Sequence, residues 1–438
     1  MSSSAGSLEE LDQQVLWHPF TQQSEWLPLV IERGEGNFLI DTTGRRYLDG
    51  VSSLWCNVHG HHHPRLDRAL RDQLERIAHS TFLGLSHEPG IRLAADLVAV
   101  APRGTTADSI ERGPLTRVFY SDSGSSAVEI ALKQSFQYWA LRGRPKKQRF
   151  LRLTDAYHGD TLGAVGVGGI DVFHRIFGPL LVQSIPIPTP AGTDGSASLA
   201  RFEEELERRS YEIAAFIFEP LIQGAAGMLV HPAGYLAKVS ALCRRHNVHL
   251  ILDEVATGFG RTGRMFACEH ESVSPDFLCL AKGISAGYLP LAATLSTEEI
   301  YSAFLGARAE MKHFFHGHTY TANPLACAVG LESLRLLREE TLANAQAREP
   351  ELAAAAARVG QLAGVKEVRR VGLMIGIELE SQPGRFLGSE VCDRARSTHG
   401  VILRPLGDVV VWMPPLSIRA DEVGLLESAT MSAIRALD

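Results

Sequence analysis

His249-Leu-Ile-Leu-Asp-Glu-Val-Ala-Thr-Gly-Phe-Gly-Arg-Thr-Gly263 is an apolar run that stops at two acids and then turns through three glycines. A short continuous apolar run with no polar alternation is the pattern of a strand covered on both faces. Asp253 then stands at the C-terminal end of that strand, where open α/β sheets gather their ligands. The next apolar run, Asp276-Phe-Leu-Cys-Leu280, passes directly into Ala281-Lys282-Gly283, which places Lys282 at the same sheet edge.

Outward from this pair the pattern repeats. Arg117-Val-Phe-Tyr120, Arg149-Phe-Leu-Arg-Leu153 and Ala214-Ala-Phe-Ile-Phe218 read as further strands. Ser125 to Leu141 carries Val128, Ala131, Leu132, Ser135, Phe136 and Trp139 at helical spacing, so this face is expected to pack on the sheet. Tyr235 to His246 reads as a second such helix. Strands alternating with amphipathic helices from about residue 60 to residue 330 predict an α/β fold with a mostly parallel central sheet in a large domain. Beyond it, a long Ala/Leu helix, strands at Val365 to Arg370 and Met374 to Leu379, a helix near Glu390 to Thr398 and a last helix from Ala420 form an α+β unit. The first 59 residues carry their own strand signals, as at Phe38 to Asp49. They are expected to join residues 331–438 in one small domain built from both termini. Ile185 to Ser198, rich in Pro, Gly and Thr, is expected to be an exposed loop.

The 438 residues are 45% hydrophobic and 21% charged, enough to bury a large core. A net charge of -7 with interspersed signs argues against a nucleic-acid or anionic-membrane surface and leaves small molecules as the expected partners. The first residues lack the basic and apolar segments of a signal peptide and read as a frayed terminus. No apolar run reaches the roughly 18 residues of a membrane span. Six widely spaced cysteines suit a reducing cytoplasm.

A lysine and an acid brought together at one sheet edge match the needs of pyridoxal phosphate, which takes a lysine as a Schiff base and an acid beside its ring nitrogen. Tyr120-Ser-Asp-Ser-Gly-Ser-Ser126 supplies the third requirement: a strand, a glycine turn and a helix start whose free amides suit a phosphate, with Gly124 and Ser125 as its ligands. Each element alone is ordinary turn or surface chemistry; the order and placement of all three carry the reading. Other signals are weaker. Gly283-Ile-Ser285-Ala-Gly287 imitates the elbow of a serine hydrolase, but Tyr288-Leu-Pro290 interrupts the helix that should follow. His59-Gly-His-His-His-Pro64 and His316-Gly-His318 cluster histidines without completing a metal site, and no metal is expected. Gly163 to Gly169 imitates a dinucleotide turn without its helix and acid.

Asp253 to Gly263 and Leu280-Ala-Lys-Gly283 resemble the signature of the class III, ornithine-aminotransferase-like family. The resemblance implies fold type I and makes Lys282, Asp253 and Tyr157 the catalytic group. Leu16-Trp-His-Pro-Phe20, Ser52-Ser-Leu-Trp55, Tyr157-His-Gly-Asp160, Gln223-Gly-Ala-Ala-Gly227, Arg404-Pro405 and Met413-Pro-Pro415 resemble, more narrowly, the 7,8-diaminopelargonate synthase branch of biotin biosynthesis. That branch implies transamination of 8-amino-7-oxononanoate. Tyr157 and Val255 would flank the cofactor ring, and Arg404 would hold the substrate carboxylate, which its planar fork suits. Phe20, Leu54, Trp55 and Gly317 would border the substrate. His318 and Thr319 would reach the cofactor of a partner subunit, making the active unit a homodimer with its site at the interface. Phe20 replaces a tyrosine, Leu54 a tryptophan, and His318 a proline found in members using S-adenosylmethionine. That donor is the branch's default. L-lysine is the alternative, as is another class III ω-aminotransferase reaction of ornithine or γ-aminobutyrate type.

Overall fold

Ile213–Phe218 and His249–Asp253 are buried at every position and pair in parallel at the centre of a seven-stranded sheet. Residues covered on both sides have no solvent face to mark with polar side chains, which is why both runs are continuously apolar. The computed structural model describes residues 7–437. In spatial order the sheet runs Leu115–Ser121, Ala292–Thr297, Phe277–Leu280, His249–Asp253, Ile213–Phe218, Arg149–Leu153 and Ile185–Ile187. Ala292–Thr297 is antiparallel to both of its neighbours, and the other pairings are parallel. The mixed α/β architecture with a mostly parallel sheet thus follows the sequence pattern.

Helix Gly124–Leu141 buries Val128, Ala131, Leu132, Ser135 and Trp139 as expected, and Trp139 Nε1 donates to Ala214 O at 2.9 Å. Phe136 departs from the expectation: it is 43% exposed, at the margin of the buried stripe, where it borders an open groove with Phe150 and Val182. The Pro-rich stretch after residue 184 also differs from an exposed loop throughout. Ile185–Ile187 is the edge strand of the sheet, with both isoleucines buried and Pro186 exposed between them. An edge position accommodates a proline because one side of the strand has no ladder partner to receive an N–H. From Ser196 the chain is already helical. At the N-terminus, Leu8–Val15 forms a helix where fraying was expected, because Ser7 and Glu10 close a reciprocal capping box; residues 1–6 of that segment lie outside the described residues.

The two ends of the chain meet in a four-stranded sheet. Ile31–Glu35, Phe38–Asp41 and Arg46–Asp49 form a meander, and Val401–Ile402 adds in parallel to the last of them. A second four-stranded sheet comprises Val365–Val371, Met374–Leu379, Val409–Trp412 and Arg404–Leu406. Trp412, fully buried, donates its Nε1 to Thr430 Oγ1 at 3.0 Å and so ties that sheet to the last helix, Ala420–Arg435. The long helix beyond residue 330 is Pro324–Leu336 and Leu342–Val359 joined through a π turn, Leu337–Thr341. Thr341 in that turn meets His59 Nδ1 at 2.8 Å, and Ser333 meets His59 Nε2. His61 and His62 are paired separately with Asp49 and Asp67. Within this cluster His59, His61 and His62 thus each have a separate partner.

Candidate active site

Parallel pairing in register brings the C-terminal ends of adjacent strands to one edge: Leu252 lies opposite Phe218, and Asp253 opposite Cys279. The residues just beyond, Glu219, Asp253 and Lys282, border a cavity of about 400 Å³ together with Trp55, Tyr157, His158, Val255 and the turn Asp122 to Ser125. Lys282 has a φ of 45°, a left-handed conformation that a non-glycine residue adopts at a steric cost and that a surrounding structure must impose. It opens a 3₁₀ turn, Lys282–Ser285, and its Nζ lies 5.1 Å from the centre of the Trp55 ring. Burial pushes this ammonium below the ordinary lysine range, opposed by the carboxylates of Asp253 and Glu219.

Asp253 is 4% exposed, and both of its oxygens are held: Oδ2 lies 2.7 Å from His158 Nδ1, and Oδ1 accepts the Val255 N–H at 3.0 Å. Alternation along the strand turns its neighbour the other way. Glu254, fully buried, accepts the amides of Ala267 and Cys268 at 2.6 and 2.9 Å and so anchors the turn that follows the glycine-rich segment. The two acids of the opening motif therefore have different work: one faces the cavity and one holds the backbone. Arg261, in the same motif, is buried with its guanidinium on Pro414 O and Asn57 O, linking the glycine-rich turn to both terminal segments.

Ser123 caps the helix Gly124–Leu141 by accepting the Ser126 amide, so Gly124 and Ser125 lie in the first turn, where amides have no acceptor within the helix. Closeness requires the glycines here. A Cβ on Gly124 would stand 2.7 Å from Val255 Cγ1, and one on Gly159 would stand 1.9 Å from Ser125 Oγ. Ser125 Oγ accepts the Asp160 N–H at 3.1 Å, fastening the Tyr157–Asp160 segment to the turn. The result is a cavity with free amides at a helix start, a buried carboxylate and a buried lysine. That combination fits pyridoxal phosphate: an anion site, an acid for the ring nitrogen and an amine for the aldehyde.

Tyr157 lines the cavity and donates its hydroxyl to Asp160 Oδ2 at 2.8 Å. Arg404 is half-buried, lies close enough to Tyr157 for their charges to interact, and has no carboxylate partner among the described residues. Phe20 lies outside the cavity wall with a φ of 52°, its ring 5.5 Å from Phe173, which in turn meets Tyr157. Leu54 is 47% exposed, whereas its neighbour Trp55 is buried and faces the cavity. Gly317 and Thr319 are exposed and do not border their own chain's cavity; His318 Nδ1 lies 3.0 Å from Asp122 Oδ2. Ser285 donates to Leu289 O, and its hydroxyl has no histidine partner among the described residues. His158 and Glu219 were not among the expected site residues. Glu219 was legible by the rule that found Asp253, since it follows a buried strand, whereas His158 lies in a loop that only folding brings to Asp253.

The aminotransferase class-III family matches residues 20–434. The adenosylmethionine-8-amino-7-oxononanoate aminotransferase of Nitratidesulfovibrio vulgaris is 50% identical, over 100% of this chain and 83% of its own length. The crystal structure of the enzyme of the same name from Methanocaldococcus jannaschii superposes with a TM-score of 0.92 at 42% identity, covering 98% of each chain. An amine transaminase from an uncultivated Pseudomonas species, solved with pyridoxal phosphate bound, gives 0.88 at 37% identity over 97% of this chain and 99% of its own. With its sheet edge, cavity and near full-length likeness in agreement, the chain belongs to the class-III aminotransferases, enzymes of fold type I that depend on pyridoxal phosphate.

Proposed function

We propose that this aminotransferase converts 8-amino-7-oxononanoate to 7,8-diaminononanoate in biotin biosynthesis, with S-adenosylmethionine as amino donor and L-lysine as the alternative. The observation that carries the chemistry is the convergence of Lys282, Asp253 and the Ser123 to Ser125 turn on one cavity. The substrate reading is supported by the relatives' activity and by Arg404, a half-buried guanidinium with no carboxylate partner among the described residues. Bound pyridoxal phosphate supplies an electron sink and carries the amino group from donor to acceptor.

The chain's own residues do the rest. Asp253, fixed by His158 and Val255, holds the proton of the ring nitrogen. The amides of Gly124 and Ser125 bind the phosphate. Tyr157 and Val255 confine the ring and keep water from it. Lys282 anchors the cofactor and, once displaced, its Nζ takes the proton from the donor carbon that bears the amine and later returns one to the acceptor carbon. A lysine whose charge is disfavoured by burial is suited to that work, since only the neutral amine attacks or takes a proton. Arg404 pairs with the acceptor carboxylate in a charge-assisted fork. Trp55 borders the substrate, as Phe20, Leu54 and Gly317 would.

The exposed Thr319, outside its own cavity, supports a homodimer in which Thr319 serves the partner's phosphate, while His318 would have to leave Asp122 of its own chain to do the same. Residues 60–330 then form the cofactor-binding domain, and the paired termini form the small domain that carries Arg404. Six free cysteines fit a cytoplasmic enzyme, and among the described residues no helix is long and apolar enough to cross a membrane. The experiment is to add each candidate amine to cofactor-loaded enzyme and follow the visible band and the appearance of 7,8-diaminononanoate. S-adenosylmethionine or L-lysine should discharge the band and support product formation. Response to neither contradicts the substrate assignment.

A further inference from the structure

The acceptor poses an electrostatic problem that neither Lys282 nor Arg404 solves. 8-Amino-7-oxononanoate carries an ammonium group on the carbon adjoining its ketone, so whatever brings the ketone to the reacting position also brings a positive charge beside Lys282. A cation taken into such a site without a counter-charge loses several kcal/mol of solvation. Three carboxylates line the cavity, and a fourth, Asp160, adjoins its Tyr157. Asp253 has both oxygens engaged, by His158 and the Val255 amide. Asp160 is exposed and accepts the Tyr157 hydroxyl. Asp122 precedes Ser123 in the turn proposed for the phosphate and is bonded to His318.

Glu219 is different. It is 5% exposed, follows the central strand Ile213–Phe218, and has one oxygen, Oε1, fixed by the Gly224 N–H at 2.9 Å. Its Oε2 is buried with no hydrogen-bond partner among the described residues. The same backbone position packs on Trp55: a Cβ on Gly224 would lie 3.3 Å from the indole and 3.6 Å from Glu219 Oε1. The carboxylate with the donorless oxygen thus lines the same cavity as the Trp55 ring, which Lys282 Nζ approaches at 5.1 Å. Anion and indole together are the usual receptor for an ammonium ion.

We infer that Glu219 is the receptor for the acceptor's vicinal ammonium group, its free Oε2 accepting an N–H from that group while Trp55 packs against it. The inference rests on the proposed acceptor and adds a specificity-determining residue to it. Burial, with the Asp253 charge beside it, raises the Glu219 carboxyl to about 7 against the opposing pull of His158, the Gly224 N–H and Lys282. The arriving ammonium would then favour the charged carboxylate, so acceptor binding should strengthen as pH rises from 6 to 8. His158, Asp253 and Lys282 are the titratable groups facing Glu219 from the neighbouring strand ends.

The test is Glu219→Gln, which keeps the Gly224 contact and the side-chain size, assayed with 8-amino-7-oxononanoate and with 7-oxononanoate, which lacks the amine. The variant should lose about tenfold or more in kcat/KM for the aminated acceptor and under about threefold for the other. Calorimetry on borohydride-reduced holoenzyme, which cannot turn over, should show the same ratio in dissociation constants, and the variant should lose the strengthening between pH 6 and pH 8. Equal losses with both acceptors, or an unchanged ratio of dissociation constants, overturn the assignment. A wild-type enzyme inactive on 8-amino-7-oxononanoate would instead overturn the acceptor on which the inference rests.

Discussion

Asp253 and Glu254 are adjacent acids with opposite surroundings, and the difference comes from strand alternation alone. Asp253→Asn removes the charge that holds the ring proton while leaving both hydrogen-bonding positions filled; kcat should fall by roughly 10²- to 10⁴-fold with the fold intact, as checked by steady-state kinetics and circular dichroism. Glu219 allows a second prediction at this scale. Its carboxyl titrates near 7 in the folded chain against 4.5 in a free glutamate, so the folded state binds the proton more tightly. That preference stabilises fully below the unfolded value and is lost as pH rises through the folded one. Glu219→Gln should therefore raise the melting temperature of the cofactor-free protein more at pH 8 than at pH 6; a gain independent of pH would contradict the assigned titration. Asp253 and Lys282 were legible in the sequence because each ends an apolar strand. His158 was not, since only folding brings a loop histidine 2.7 Å from Asp253.

Among the elements, runs with strong local signals were readable: the strand Arg149–Leu153 and the start of the last helix at Ala420 fall where the sequence put them. Ile185–Ile187 was hidden because three residues containing a proline carry less signal than the turn residues around them, and only pairing with Arg149–Leu153 makes them a strand. Phe136 was misplaced because helical spacing gives the direction of a side chain but not where its neighbours end. The phosphate turn depends on contacts between elements: Gly159, at φ 110°, lies against Ser125, which caps nothing but receives the Asp160 amide. Gly159→Ala would force Ser125 away. We expect about a tenfold or greater weakening of cofactor affinity, measured by dialysis and fluorescence titration, with little change in secondary structure. Retention of full affinity would mean that the turn is not the anion site.

At the scale of the whole molecule, the chain leaves Thr319 on its surface while the family resemblance gives it a cofactor contact, and a two-fold assembly reconciles the two. Lys282→Ala and Thr319→Ala are each expected to be defective alone. Mixed and reassembled, they should regain about a quarter of the wild-type sites, because half of the dimers carry one site with both native residues; no recovery would place Thr319 in its own chain's site or outside the chemistry. Strand signals before residue 60 suggested a pairing of the two termini, and Val401–Ile402 runs alongside Arg46–Asp49. What no single-chain pattern could supply is the donor, the choice that the proposal ties to Phe20, Leu54 and His318. The central claim concerns Lys282 itself, and one measurement reaches it directly: reduction of the cofactor-loaded enzyme with borohydride, proteolysis and mass mapping of the labelled peptide. The cofactor should be found on the peptide containing Lys282 and be absent from Lys282→Ala. Label on another lysine, or no label on a loaded enzyme, would contradict the account.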